Sequence, residues 1–451
     1  MKNITFKVIA VLSLVLFSIS AFSGCSGDPE RHFKAQPVNG VSVNITGHTG
    51  SKWSVKIPSK YRGLPVNYIG DGAFSGRDLV SVSIPGGVTL IGSNAFSNNQ
   101  LTKLSIPGNV TAIGDRAFAG NLLSKVTVPG KVTDIGDGAF RSNNLTNASI
   151  RNSVTYIGAG AFQNNQIKSI KLPNRVILIG NHAFQENQLT TLTIPASVIT
   201  IGDEAFMNNQ LSSLTFQNAY AAIGDRAFAE NLLTDVTIPD NVTSIGKNAF
   251  SNNQITNAVI GSGVVTIGAG AFTGNPLGSV TIGSSVADIG DDAFADLKLT
   301  SIAIPASVKI IGGGAFSGNE NLASVTFAPN SHLETIGGRV WDNRWNYQRW
   351  TGLGAFENNS NLTGITLPAS VKNIGAYAFA GCTKITSLTI SESVTSVGTN
   401  AFNGWTASQT ITIPFASIAD STRASSQGGW GSAWRTGCNA VIMNNAGAQI
   451  N

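Results

Sequence analysis

The hexapeptide Ile-Gly-x-x-Ala-Phe returns every 22 residues along this 451-residue chain. Its phenylalanines run from Phe74 to Phe316 at that interval without a miss, and Phe356, Phe379 and Phe402 continue the series with looser spacing. A unit that short cannot bury an apolar face by itself, so successive units must stack and bury it between them. The expected fold is a repeat solenoid with one short strand per unit. Fifteen of the 22 phenylalanines and fifteen of the 50 glycines belong to the marker. The aromatic rings therefore read as core, and the glycine excess as architecture.

One unit shows how the repeat works. In Phe96 to Gly114, Leu104 and Ile106 alternate with Lys103 and Ser105, the pattern of a strand with one buried face. Pro107 ends it, because proline cannot donate to a ladder. Val110 and Ile113 turn inward on the return leg. Gly114 to Phe118 should then bend tightly, as a short helical or 3₁₀ turn with Asp115 near its start. Stacked units give columns: leucine from Leu101 to Leu277, valine from Val88 to Val308 with Tyr220 replacing it once, and asparagine from Asn99 to Asn275. Asparagine tolerates left-handed turns and bonds backbone groups that would otherwise be buried unpaired, so its column reads as structural.

The first residues carry an export signal. Lys2 and Lys7 precede an apolar stretch from Val8 to Phe22, short for a membrane span, and small residues lead to a cysteine. The segment Phe22-Ser23-Gly24-Cys25 resembles the lipobox of bacterial lipoproteins, with Phe22 where leucine is usual. That resemblance implies cleavage after residue 24 and lipidation of Cys25. Cys382 and Cys438 then remain as the one pair available for an intrachain disulfide. The net charge is +5 and falls to +3 without Lys2 and Lys7. An excess so small, spread over a long surface, gives no case for nucleic acid.

The repeat itself resembles the BspA-like leucine-rich repeats of bacterial surface proteins, whose units read much like LTSVTIPxSVTxIGxxAF. Leu233 to Phe250 reads LTDVTIPDNVTSIGKNAF, and Leu277 to Ile289 reads LGSVTIGSSVADI. The resemblance extends from about Val41 to the C-terminus. It implies a leucine-rich-repeat solenoid at the bacterial envelope, on the outer membrane or cell surface, and a role as surface antigen or adhesin. The implied partners are host extracellular-matrix proteins, cell-surface proteins or glycans, with a membrane reached through the lipid anchor. A passive envelope spacer or surface antigen without a specific ligand is the alternative.

The expected organisation is a signal peptide over 1–24, a lipidated cysteine and polar tether over 25–40, and an N-terminal cap unit over 41–68 with Trp53 and Tyr61 as cover. Repeats follow over 69–407 and a C-terminal cap over 408–451, with Trp430, Trp434 and a final strand from Ala440 to Met443. The array is broken once. Phe316 and Phe356 are 40 residues apart, with three extra residues before Ile336 and 15 after it. The second insertion, over 338–353, holds Trp341, Arg344, Trp345, Tyr347, Arg349 and Trp350. Aromatic and arginine side chains are enriched at binding hot spots, and loops on rigid scaffolds often carry function. These six residues are the candidate ligand-binding set. The same rings could instead fold back to patch the discontinuity, and the sequence leaves both readings open.

No chemistry is expected elsewhere. His32, His48, His182 and His332 are scattered without metal-ligand spacing. The cysteines lack a histidine motif, and no Gly-Lys-Ser/Thr follows a glycine run. The aspartates after the marker glycine, such as Asp115 and Asp137, share their column with Ala159 and Lys247, which does not suit a calcium ladder. The chain is read as a non-enzyme that needs no metal or cofactor.

Overall fold

The computed structural model describes residues 30–338, 340–342, 349–351, 353–415, 430 and 433–450, with backbone alone for 340–342 and 349–351. Signal segment 1–24 and Cys25 lie outside the described residues. The chain is a β-solenoid with almost no helix; the described helical residues are a 3₁₀ turn, Glu30–His32.

Each repeat contributes two legs. On the return leg a two-residue strand ends in the marker isoleucine or valine, as in Ala112–Ile113 and Asp134–Ile135. These strands pair in parallel at equivalent positions, Ile113 with Ile91 and Ile135, and so on to Val397, in one continuous sheet of 18 strands with the N-terminal cap. In most repeats the other leg carries the expected strand, as in Lys125–Val128, with alternate residues exposed and buried, whereas residues 103–106, 169–172 and 365–367 join no ladder. Those strands form separate sheets of two or three. The second strand per unit was not expected. Two residues suffice because each side of the pair is hydrogen bonded to a neighbouring repeat.

The bend after the marker glycine is not helical. Ala95 N–H donates to Gly92 O at 3.3 Å and Ser97 N–H to Asn94 O at 3.1 Å, two successive four-residue turns. Asn94 and Asn98 are left-handed, with φ of 55° and 53°, and the equivalent residues of other repeats share that conformation. A left-handed residue breaks a helix and redirects its peptide groups. Here they point along the solenoid: Asn94, Phe96 and Asn98 donate to Asp115, Ala117 and Ala119 of the next repeat at 2.7–2.8 Å. The aspartate of the bend likewise serves its neighbour. Asp115 Oδ1 accepts from Asp137 N–H at 2.8 Å, and Asp137 Oδ1 from Ala159 N–H at 2.7 Å. These side chains cap the next turn, not their own. The marker glycine is required by close approach: a Cβ on Gly114 would lie 2.6 Å from Gly92 C and Ser93 N.

Inside, the fifteen marker phenylalanines form one stack from Phe74 to Phe402, each fully buried. Centroids of neighbours lie between 5.1 Å (Phe74 and Phe96) and 6.0 Å (Phe379 and Phe402), with planes nearly parallel, the offset arrangement that aromatic quadrupoles favour. The asparagine column runs beside it. Asn121 Nδ2 donates to Phe96 O at 3.0 Å and Phe118 O at 3.1 Å, and its Oδ1 accepts from Leu101 N–H at 3.1 Å. The structural reading of this column holds, and the column is longer than its asparagines. Cys382 occupies it and donates to Phe356 O at 3.1 Å, and Trp405 Nε1 donates to Phe379 O at 2.9 Å. Leu297 interrupts it.

Cys382 and Cys438 are both free and buried. Burial pushes the Cys382 thiol up to about 12 and raises that of Cys438 too. Tyr220 does not replace valine in the core. It is 64% exposed, while Ala219 and Ala221 are buried on either side. A phenol is too large for a slot shaped for valine and would bury its hydroxyl, so the ring turns outward between two buried alanines while Ala222 keeps its register with Thr200.

The N-terminal cap begins earlier than expected. Phe33–Val38, placed in the tether by sequence, pairs antiparallel with Ser42–His48, which in turn pairs with Leu64–Ile69. The Phe33 and His48 rings contact Phe74 and seal the stack at 6.4 and 5.7 Å. Trp53 is 58% exposed, whereas Tyr61 packs against the core. At the other end Trp405 and Trp434 meet Phe402 edge-on, and Trp430 Nε1 donates to Val394 O at 3.0 Å. The final strand, Val441–Asn444, pairs with Thr410–Ile413.

Candidate functional site

The insertion leaves the core untouched. Phe316 and Phe356, 40 residues apart in sequence, stack at 5.5 Å with a 10° tilt, as any two neighbours do. The additional chain departs from the marker turn between Gly338 and Leu353. Its backbone forms a two-stranded antiparallel ribbon, Val340–Asp342 against Arg349–Thr351. Trp341 stands opposite Trp350, and Asp342 opposite Arg349. Two glycines form its root. A Cβ on Gly338 would lie 2.3 Å from Ala376 N, and one on Gly354 would lie 1.9 Å from Tyr377 O, so side chains are excluded where the ribbon meets the next repeat. Gly354 N–H is held by Glu357 Oε2 at 2.8 Å, a carboxylate only 5% exposed.

Of the six candidate residues, Trp341, Arg349 and Trp350 lie on these strands, the two tryptophans in register with each other. Arg344, Trp345 and Tyr347 fall outside the described residues. Pairing of Trp341 with Trp350 was not read from the sequence.

A second feature in the same repeat was missed. The strand Ser324–Phe327 pairs fully with Ser301–Ile304 on one side. On its other side it touches the next repeat through a single bridge, Ser324 with Gly364. The segment that follows, Ile365 to Leu367, alternates buried and exposed like a strand but joins no ladder. The result is an open furrow of about 820 Å³. Half-buried Phe327 and Leu367 line it, together with the hydroxyls of Ser324, Thr326, Ser331, Thr366 and Ser387, and none of its lining residues is charged. The bend from Ala328 to Leu333 is two residues longer than the corresponding Pro305 to Val308, and Asn330 within it is left-handed at φ 57°. The extra residues before Ile336 were the signal, overshadowed by the tryptophans. A smaller furrow of about 500 Å³ lies between Asn147–Ile150 and residues 169–173, where Arg151 and Lys171 bring positive charge.

Among the described residues no group of three His, Cys, Asp or Glu could hold a metal. No helix among them is long and apolar enough to cross a membrane. Asp292 is shifted upward by burial, then by the charges of Asp291 and Asp296. Glu204 lies 3.4 Å from both His182 and Arg226, an exposed network of the kind that contributes little stability.

The sequence pattern described as "BspA type Leucine rich repeat region (6 copies)" matches residues 67–190, 155–277, 243–352 and 349–425 in overlapping sets. No curated protein matches this chain in sequence. Among solved structures, a leucine-rich repeat protein from Bacteroides ovatus is 21% identical with a TM-score of 0.55, covering 91% of this chain and 98% of that one. The pneumococcal vaccine antigen PcpA is 17% identical with a TM-score of 0.49, over 91% of this chain and 96% of its own. A leucine-rich cell surface protein from Faecalibacterium prausnitzii is 22% identical with a TM-score of 0.35, over 94% and 96%. At such identities the Bacteroides likeness speaks for the fold alone, and the other two bear no argument. The stacked marker turns and the sequence pattern agree, and the chain belongs to the BspA-type leucine-rich repeat family.

Proposed function

We propose that this chain is a bacterial cell-surface lipoprotein, anchored through Cys25, whose solenoid works as an adhesin or recognition module. The proposed partners are host matrix proteins, host cell-surface proteins or glycans. Family membership supports the coarser part of this reading: such proteins are typically surface-exposed and act as non-enzymatic binding scaffolds. The observation that supports the finer part most is the ribbon over 340–351. Fifteen extra residues leave an otherwise unbroken stack, and their composition is that of a binding hot spot. Tryptophan faces suit the C–H surfaces of sugars, and arginines suit carboxylates and backbone carbonyls of a protein partner.

The rest of the molecule would act as a stiff mount. About 15 strands at a spacing of 4.8 Å stack to roughly 70 Å, enough to carry the ribbon clear of a membrane surface. Residues 26–451 should therefore bind at least one member of a panel of immobilised matrix proteins and an arrayed set of glycans. A chain that binds nothing on such a panel, or on whole cells, would instead be a passive spacer or surface antigen.

A further inference from the structure

We infer that the furrow between Ser324–Phe327 and residues 364–367 binds an uncharged peptide segment in extended conformation, through main-chain hydrogen bonds to the unladdered strand. The inference deepens the recognition reading and rests on it.

The backbone carries the argument. Thr363 N–H bonds Ala323 O at 3.3 Å, Gly364 bridges Ser324, and the next backbone bond in sequence is Val371 N–H to Pro368 O at 3.1 Å. Between them the N–H and C=O groups of Ile365, Thr366 and Leu367 make no backbone hydrogen bond, although repeats on both sides ladder the same positions. These groups repeat at about 3.3 Å, the spacing of a second strand, and an unpaired strand edge is a template for strand addition.

The lining sets the occupant's character. With no charged residue in the furrow, a buried lysine or glutamate of a ligand would find no partner, and such burial is costly. Neutral side chains can alternate between Phe327 and Leu367 on one side and the threonine and serine hydroxyls on the other. A volume of about 820 Å³ falls within the usual range of ligand sites. The enlarged bend around Asn330 lines the furrow with residues that the preceding repeat lacks. The smaller furrow near Lys171 has charge and would select differently.

The test uses residues 26–451 and an array of octapeptides built from Ser, Thr, Val, Ala and Gln, beside a matched set with Lys or Glu at alternate positions. The tightest peptide is then measured in solution by fluorescence anisotropy, with its alternately N-methylated form and with maltohexaose. The uncharged set should bind. Charged and N-methylated forms should be at least tenfold weaker, and maltohexaose should not compete. Thr366→Pro and Thr326→Lys should each weaken binding at least tenfold, while Thr237→Lys, on an intact ladder, should leave it unchanged. Thr366 N–H makes no hydrogen bond within the protein, so proline there removes none of the fold's own bonds. Should the proline variant misfold, Thr326→Lys decides alone. The inference is overturned if no array peptide binds, if the N-methylated peptide binds equally, if both furrow variants bind like the parent, or if maltohexaose displaces the peptide. Matrix or glycan binding that depends on the ribbon but ignores these variants would leave the recognition reading standing and remove this one.

Discussion

Asn209 sits mid-array, 7% exposed, and its replacement should uncouple the two halves of the solenoid. Its Nδ2 donates to Phe184 O at 2.9 Å and to Phe206 O at 3.1 Å, and its Oδ1 accepts from Leu189 N–H at 3.0 Å. The two carbonyls have second donors, Asn187 for Phe184 and Asn231 for Phe206. Leu189 N–H depends on Asn209 for its bond. Asn209→Ala thus orphans one buried donor, at about 1–3 kcal/mol, and removes two bonds at about 0.5–1.5 kcal/mol each. The expected loss is about 2–6 kcal/mol, concentrated at one interface between repeats. Urea unfolding followed by circular dichroism should change from one transition to two, because a weakened interface lets the halves melt separately.

Asn209→Asp sharpens the test. The carboxylate can still accept from Leu189 N–H, but its other oxygen would face two carbonyl oxygens with no proton to offer. The native pKa must then lie above the unfolded value near 3.9. With the native state binding the extra proton, stability is greatest below that unfolded value and is lost as pH climbs through the raised native one. A variant equal to the parent at pH 7, or an alanine variant within 0.5 kcal/mol of it, would refute the claim that this column holds the repeats together.

Other expectations follow from single residues. Leu297→Asn restores the column at its interruption and should cost under about 1 kcal/mol or stabilise, whereas Leu299→Asn, fully buried without such partners, should cost about 2–5 kcal/mol in the same urea experiment. Cys382, with its thiol at about 12, should resist maleimide labelling at pH 8 until the chain unfolds; rapid labelling in native buffer would contradict its place in the column. Asp292 has a raised carboxyl pKa, so its charge costs stability that appears as pH rises above the unfolded value near 4. Asp292→Asn should therefore be the more stable form at pH 7, by less than about 1 kcal/mol, with the difference fading in acid melts.

Much of this was legible because a fixed period turns one repeat into a column. The phenylalanine stack and the asparagine role follow from spacing and the need to satisfy buried backbone. What failed to show were features set by contacts between repeats. Arg116, Glu204 and Tyr377 are left-handed, against their local preference, because a neighbour's carbonyl takes their N–H. Asp115 looked like a cap for its own turn and proves to serve the next one. Cys382 and Trp405 join a column of asparagines because any donor of suitable reach can bond the same phenylalanine carbonyl. Tyr220 left its column because the slot there is shaped by neighbours. At the candidate site, the tryptophan-rich insertion stood out by composition, yet its strand pairing did not. The furrow arises where two strands fail to pair, which no single repeat encodes.

The most direct measurement is to delete residues 339–352 and follow two properties of the same preparation: the urea midpoint and binding to the matrix and glycan panel. Because the stack passes from Phe316 to Phe356 without the ribbon, the midpoint should not move, while binding should disappear. A lower midpoint with binding intact would mean that the ribbon patches the array and that recognition lies elsewhere.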